Sequence, residues 1–232
     1  MVTENLQRIE ERVLSACTRA GRARDEVTLI AVSKTKPVDM LEEAYVAGIR
    51  DFGENKVQEM MDKYAILPQD IRWHMIGHLQ RNKVKYLIGK TKLIHSVDSL
   101  RLAQEISRLS VKNDVTTDIL IEVNIAAEET KFGTGREEAI ALVRDAAALP
   151  GIQVRGLMTI APYVDNPEDN RVYFKELKQL SVDIAEKNID NVRVDVLSMG
   201  MTGDFEVAIE EGATHVRVGT GIFGEREYGP VS

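Results

Sequence analysis

Lys34 follows the apolar run Val27–Ser33 and could act as an amine toward a carbonyl. Side chains alternate along a strand, so Thr28, Ile30, Val32 and Lys34 share one face. A lysine at the end of an inward face is partly desolvated, loses basicity and can attack as the free amine. The competing reading is a lysine that snorkels from a strand end into water, and spacing alone leaves both open. Lys36 lies on the same face if the strand continues, and a second cation would push in the same direction. Arg217 stands in Thr214-His215-Val216-Arg217-Val218. If the valines face covering helices, His215 and Arg217 face inward, where an unpaired charge is costly. A buried arginine needs an acceptor: a carboxylate such as Glu122, or a ring nitrogen or phosphate of a ligand.

Two glycine-bearing segments complete the set. Gly219-Thr220-Gly221-Ile222-Phe223-Gly224 matches G-x-G-x-x-G, but only Glu225 to Ser232 follow, leaving no room for a dinucleotide-binding βαβ unit and its acidic ribose contact. A phosphate cradle fits better. Ser198-Met199-Gly200-Met201-Thr202-Gly203 and Gly219-Thr220-Gly221 would fall after the last two strands of a barrel, where backbone N–H groups and the hydroxyls of Ser198 and Thr220 can meet a phosphate. A tight turn without a ligand is the simpler alternative. His74 and His78 straddle a strand end containing Gly77 and lack an acidic third ligand, so no metal site is expected. Arg81, Lys83 and Lys85 read as a solvated helix face. An amine, a lumenal guanidinium and a phosphate cradle together fit pyridoxal 5′-phosphate (PLP).

The elements that must position these residues alternate in type. Eight strand candidates cover Val27–Ser33, Ile49–Phe52, Ile71–Ile76, Leu93–Val97, Asp118–Asn124, Ile152–Thr159, Val192–Leu197 and Thr214–Val218. Several are nearly continuous in Val, Ile and Leu, as parallel strands covered by helices should be. Between them, Pro37 precedes a helical run through Leu41 and Ala44. Asp98 or Ser99 can cap a helix carrying Leu102, Ile106 and Leu109. Thr134-Gly135-Arg136-Glu137 matches a capping box, and Asn166-Pro167 opens a helix with Phe174, Leu177, Leu180 and Ile184. Leu6, Ile9, Val13 and Cys17 mark one more helix ahead of the first strand. The pattern predicts an α/β fold, a TIM-type (β/α)8 barrel with an extra N-terminal helix, as a single domain over residues 1–232. A doubly wound sheet is the competitor. In the barrel, Lys34, Asn55, Ser198, Gly200, Arg217, Gly219 and Thr220 gather at the C-terminal ends of strands.

Composition narrows the function classes. The 232 residues hold 30 Lys+Arg against 37 Asp+Glu, an acidic balance that argues against a nucleic-acid face. One cysteine, Cys17, excludes an intrachain disulfide framework and a zinc site built on several cysteines. No run approaches the length of a membrane-spanning helix and the N-terminus is too charged for a signal peptide, so a cytoplasmic protein without membrane partners is expected.

Ala31-Val32-Ser33-Lys34-Thr35-Lys36-Pro37, Phe52-Gly53-Glu54-Asn55, Trp73-His74-Met75-Ile76-Gly77-His78-Leu79-Gln80 and Asn82-Lys83 resemble the pyridoxal phosphate homeostasis protein family. So do Leu197-Ser198-Met199-Gly200-Met201-Thr202-Gly203-Asp204 and Val216-Arg217-Val218-Gly219-Thr220-Gly221-Ile222-Phe223-Gly224, with Thr202 where serine is common. The resemblance spans nearly the whole chain. It implies a fold type III PLP barrel similar to the N-terminal domain of alanine racemase. It implies Lys34 as the Schiff-base lysine and Arg217 as the partner of the pyridine nitrogen. Ser198, Gly200, Gly219 and Thr220 would be phosphate contacts, and Asn55 a lumenal neighbour of the cofactor. The implied role is to carry or buffer PLP in vitamin B6 and amino-acid homeostasis, without established turnover and with PLP-dependent apoenzymes as recipients. A PLP-dependent amino-acid racemase is the alternative. Racemases of this fold use a second β-rich domain and its tyrosine, for which Tyr163 and Tyr228 are the loosely placed substitutes; without that domain a monomer is expected. A cofactor-free Schiff-base aldolase using Lys34 is a third reading. Lys36 and Lys131 could be secondary aldehyde acceptors or solvated lysines.

Overall fold

The structure, a computed structural model, describes residues 1–128 and 132–225. Eight parallel strands close into a barrel in chain order: β1 (Thr28–Val32), β2 (Asp51–Glu54), β3 (Arg72–Met75), β4 (Leu93–Val97), β5 (Thr117–Glu122), β6 (Ile152–Met158), β7 (Val192–Met201) and β8 (His215–Val218). All eight expected strands are present, and closure of β8 onto β1 rules out the doubly wound sheet. The helices are α1 (Val2–Arg19), ahead of the barrel, then α2 (Val38–Val46), α3 (Val57–Tyr64), α4 (Leu100–Lys112), α5 (Arg136–Ala147), α6 (Arg171–Ala185), α7 (Phe205–Glu210) and α8 (Thr220–Phe223). Between β3 and β4 the connection is a short 3₁₀ helix, Arg81–Tyr86, rather than an α-helix.

The two faces of the strands have different fates. Leu29 and Ala31 of β1, and Val216 and Val218 of β8, join the large core shared with the helices. The opposite face turns into the barrel, where Leu93, Leu120, Met158 and Val196 form a small separate apolar cluster. The lumen also holds polar side chains: His74, His95, Ser198 and Arg217 are all buried. The inward placement of His215 and Arg217 expected from the valine alternation is what the barrel shows. Helix α1 buries Leu6, Ile9, Val13 and Cys17 as its spacing predicts, and ties to α7 through Arg12–Glu206 and Arg19–Glu210 ion pairs.

The expected capping box at Thr134 does not form. The N-cap of α5 is Gly135, one residue later. The Thr134 backbone is engaged with β5 instead: its N–H donates to Glu122 O and its carbonyl accepts from Asn124 N. A residue held in that extension of the ladder cannot also cap a helix. Ser99 is the N-cap of α4 as expected, whereas Asn166 caps a 3₁₀ turn, Pro167–Asn170, by accepting from Glu168 N, and α6 itself starts four residues later with Asn170 as its N-cap. No helix among the described residues is long and apolar enough to cross a membrane.

Candidate functional site

Strand order brings the chemistry-bearing residues to one edge. β1 lies between β2 and β8, with Ala31 opposite both Phe52 and Val218, and β8 lies beside β7. Lys34, Asn55, Ser198, Gly200, Arg217, Gly219 and Thr220 therefore converge on four adjoining strand ends at the upper mouth. This is the end at which barrels build their sites.

Lys34 is half-buried two residues beyond β1. Its flanking residues are fastened from below by a buried charge cluster that the sequence reading did not find. Lys63 of α3 donates from Nζ to Ser33 O at 2.7 Å, Glu54 Oε1 at 2.7 Å and Glu59 Oε1 at 2.8 Å. The Ser33 hydroxyl donates to the same Glu54 oxygen at 2.7 Å. On the other side of Lys34, the Thr35 N–H donates to Glu59 at 2.5 Å. Thr35 holds a φ of 62°, an uncommon conformation for a non-glycine residue, and the Glu59 contact supports it. Lys36 is accounted for: its ammonium donates to the carbonyls of Phe223, Gly224 and Glu225 at the C-terminal end of α8. Lys131 and Tyr228 lie outside the described residues.

Arg217 is fully buried. One terminal nitrogen donates to Ser198 Oγ at 2.5 Å and the other to Thr159 O at 2.7 Å. Both acceptors are neutral, and among the described residues Arg217 forms no ion pair. The alternative of a structural pair with Glu122 is therefore not what the barrel contains. Burial pulls the guanidinium down to about 10, opposed by the more distant carboxylates of Asp204 and Glu122. Glu122 itself is pushed up to about 7, by burial first and by Asp98 second, with Arg217 opposing.

Thr202 supplies the hydroxyl nearest the glycine-bearing loop. Gly219 N–H and Gly221 N–H both point at Thr202 Oγ1, at 3.2 and 3.5 Å. Ser198 is bonded lower down, to Arg217 and to His95 at 2.9 Å. Its hydroxyl thus meets the guanidinium, and the Thr202 hydroxyl meets the cradle amides. Thr220 is exposed at the start of α8. Gly200 has φ 89°, and a Cβ there would stand 2.5 Å from Ala208 Cβ and 2.9 Å from Phe205 Cα, so only glycine lets α7 pack against the end of β7. Asn55 is half-buried beside a cavity of about 270 Å³ that it shares with His78, Gln80 and Lys83.

The lumen below holds a second arrangement that sequence reading missed. His74 pairs with His95 on the next strand, not with His78 four residues on. His74 Nδ1 lies 2.9 Å from His95 Nε2, and His74 Nε2 lies 3.0 Å from Asp51 Oδ1. The available signal was the inward face of β3 and β4, since His74 alternates with outward Trp73 and Met75. His78 instead stacks on Phe132 near Asp98. Among the described residues no group of His, Cys, Asp or Glu is arranged to hold a metal.

A donor set of this kind fits a ligand with a carbonyl, a ring acceptor and a phosphate. The buried guanidinium has no anion, two backbone amides make only long bonds to one hydroxyl, and an amine stands on the neighbouring strand.

Comparison with known proteins gives the family. The family model of the alanine racemase N-terminal domain matches residues 5–227. A relative from Aquifex aeolicus named pyridoxal phosphate homeostasis protein is 50% identical over 226 residues, covering 97% of this chain and 98% of its own. The structure of PipY from Synechococcus elongatus PCC7942 with PLP bound is 32% identical, with a TM-score of 0.81 over 97% of this chain and 100% of that one. A structure of an unknown protein from Bifidobacterium adolescentis is 37% identical, with a TM-score of 0.91 over 96% of this chain and 94% of its own.

Proposed function

The chain belongs to the pyridoxal phosphate homeostasis protein family, among proteins with an alanine racemase N-terminal domain, and on that premise we propose that it binds PLP at the upper mouth and carries or buffers it without turning over a substrate. The observation that carries this reading is the fully buried, uncompensated Arg217 guanidinium one strand away from Lys34. PLP, when bound, supplies an aldehyde, an aromatic nitrogen and a phosphate. Lys34 holds the aldehyde as a Schiff base. Arg217 stays protonated at neutral pH, its value near 10, and so donates to the ring nitrogen without yielding its proton. An unprotonated ring is a weak electron sink, which suits carriage better than turnover. The Gly219 and Gly221 amides and the Thr202 and Thr220 hydroxyls receive the phosphate. Gly200 shapes their approach, Ser198 holds Arg217 from beneath, and Asn55 borders the ring.

The racemase reading needs an acid/base group on the face of the ligand opposite Lys34. Tyr163 stands on the β6–α6 loop, 94% exposed, which favours the carrier reading. In our reading the protein acts as a cytoplasmic monomer that yields PLP to apoenzymes. The test is the visible absorbance of purified protein with added PLP, then borohydride reduction and peptide mapping. A reduced adduct at Lys34, absent from Lys34→Ala, is expected. Reduction that labels no Lys34 peptide would overturn the reading, and amino-acid racemisation at rates of dedicated enzymes would replace carriage by turnover.

A further inference from the structure

One file of hydrogen bonds runs the length of the lumen, from Arg72 at the lower mouth to Arg217 at the upper. Arg72 donates from Nε to Asp51 Oδ1 at 2.8 Å and from a terminal nitrogen to Oδ2 at 2.5 Å. From Asp51 the contacts pass to His74, His95, Ser198 and Arg217 at 3.0, 2.9, 2.9 and 2.5 Å. The upper end is the site described above, and the lower end opens on a cavity of about 310 Å³ bordered by Thr28, Lys92, Arg155 and His215.

Proton counting allows only one arrangement of this file. The Arg72 and His74 contacts hold the Asp51 carboxyl ionised, well below the usual carboxylate range, against the opposing effect of burial. An ionised carboxylate only accepts, so His74 carries its proton on Nε2. Burial keeps both His74 and His95 neutral, and His215, with ring centroids 6.1 and 6.3 Å from theirs, is likewise held low by burial. A neutral His74 protonated at Nε2 must accept at Nδ1, so His95 carries its proton on Nε2 as well. His95 Nδ1 then accepts, and the Ser198 hydroxyl must donate to it. Ser198 offers only lone pairs upward, and Arg217 donates into them. From Arg217 down to Asp51 the four bonds point the same way, Arg72 donates to the same carboxylate from below, and bonds aligned head to tail polarise one another in a low dielectric.

We propose that Asp51, His74 and His95 are positioning residues whose fixed proton order turns the Ser198 lone pair to Arg217, and so holds that guanidinium with its other N–H groups free to face the ligand ring. The inference rests on the proposed PLP site only for what the ring is. The proton order is a property of the ligand-free chain.

Two experiments separate these parts. Nitrogen-15 NMR of histidine-labelled, ligand-free protein reads the tautomers directly, and His74 and His95 are expected to be neutral with the proton on Nε2 in both. A proton on Nδ1 of His95 overturns the proposal whatever the protein binds. The second experiment compares His95→Gln with His95→Leu. Glutamine can donate to His74 through its amide nitrogen and accept from Ser198 through its oxygen, whereas leucine can do neither. PLP dissociation constants are expected to stay within about twofold for His95→Gln and to rise about tenfold for His95→Leu, the scale of one charged hydrogen bond. The pH at which the bound spectrum changes should move in His95→Leu alone. Equal affinity and equal spectra in the wild type and His95→Leu, with the Lys34 adduct present in both, sink the proposal and leave the PLP reading standing. A wild type that forms no adduct at Lys34 sinks the PLP reading, while the tautomers still decide the proton order.

Discussion

Lys63 on α3 and Arg217 in the lumen are both buried cations, and they are treated oppositely. Lys63 sits between two carboxylates and a carbonyl, all within 2.8 Å. Arg217 has a hydroxyl and a carbonyl and no carboxylate partner. Burying an ion costs several kcal/mol unless its surroundings compensate it. Around Lys63 the compensation is internal and complete, and it fastens the residues on either side of Lys34, which makes it part of the frame. Around Arg217 the two acceptors are neutral and the carboxylates of Asp204 and Glu122 act only from a distance, which is the feature on which the proposed ligand role rests. The degree of internal compensation thus distinguishes the charge that holds the fold from the one we propose meets a ligand.

The largest effect expected from this contrast belongs to the frame. Lys63→Met strands the fully buried Glu54 against a single hydroxyl donor and should cost about 3–5 kcal/mol, read as urea unfolding free energy. A loss below about 1 kcal/mol would mean the cluster holds nothing, and the contrast would collapse. The next effect concerns Glu122, which faces Arg217 without pairing to it. Its folded value of about 7 lies above the ordinary 4.5, so the folded state retains a proton that the unfolded chain releases in between. Stability is therefore unaffected below about 4.5, declines as pH rises from there to 7, and levels off above, by about 3 kcal/mol in all. Glu122→Gln should lack this decline and be the more stable protein at pH 7.5, with the gap closing by pH 4.5. Parallel profiles for the two proteins would show Glu122 ionised against Arg217, and the guanidinium compensated after all.

The frame and the site were not equally visible in the sequence. The eight strands showed because each is a local apolar run, and Lys34 and Arg217 showed because alternation within one strand assigns them a face. The Lys63 cluster depends on which strand end α3 crosses, and that is a matter of tertiary packing. A trace of it existed: Val57, Met60 and Lys63 recur every three residues, which places a lysine on the buried face of a helix. The histidine file is invisible for the same reason, because His74 meets His95 through the pairing of β3 with β4, and chain distance suggested His78 instead. Ser198 illustrates a finer limit. Its neighbours place it at a strand end beside the glycines, but strand register decides whether its hydroxyl meets the cradle or the guanidinium beneath. The capping residue of α5 slipped by one because Thr134 prolongs β5, a competition no local motif reports.

Gly200→Ala tests the frame where it meets the cradle. The added methyl would stand 2.5 Å from Ala208 Cβ on a backbone at φ 89°, and about 2–3 kcal/mol of stability should be lost. A neutral result would mean that α7 can shift aside and that the cradle is more plastic than the Lys34 support.

The smallest stability effect should come from the buried guanidinium. Arg217→Met removes an ion whose desolvation no ion pair among the described residues repays, together with two hydrogen bonds to neutral acceptors. The gain from abolishing the buried charge and the loss of the two bonds are of similar size, so the ligand-free protein should unfold within about 1 kcal/mol of the wild type. The same substitution chemistry at Lys63 costs several times more, although both side chains are equally hidden from water. PLP affinity should show the reverse order, falling with Arg217→Met because the ring nitrogen then faces a thioether. If urea unfolding instead gives Arg217→Met a loss as large as that of Lys63→Met, the guanidinium is part of the frame, and its missing carboxylate no longer points to a ligand.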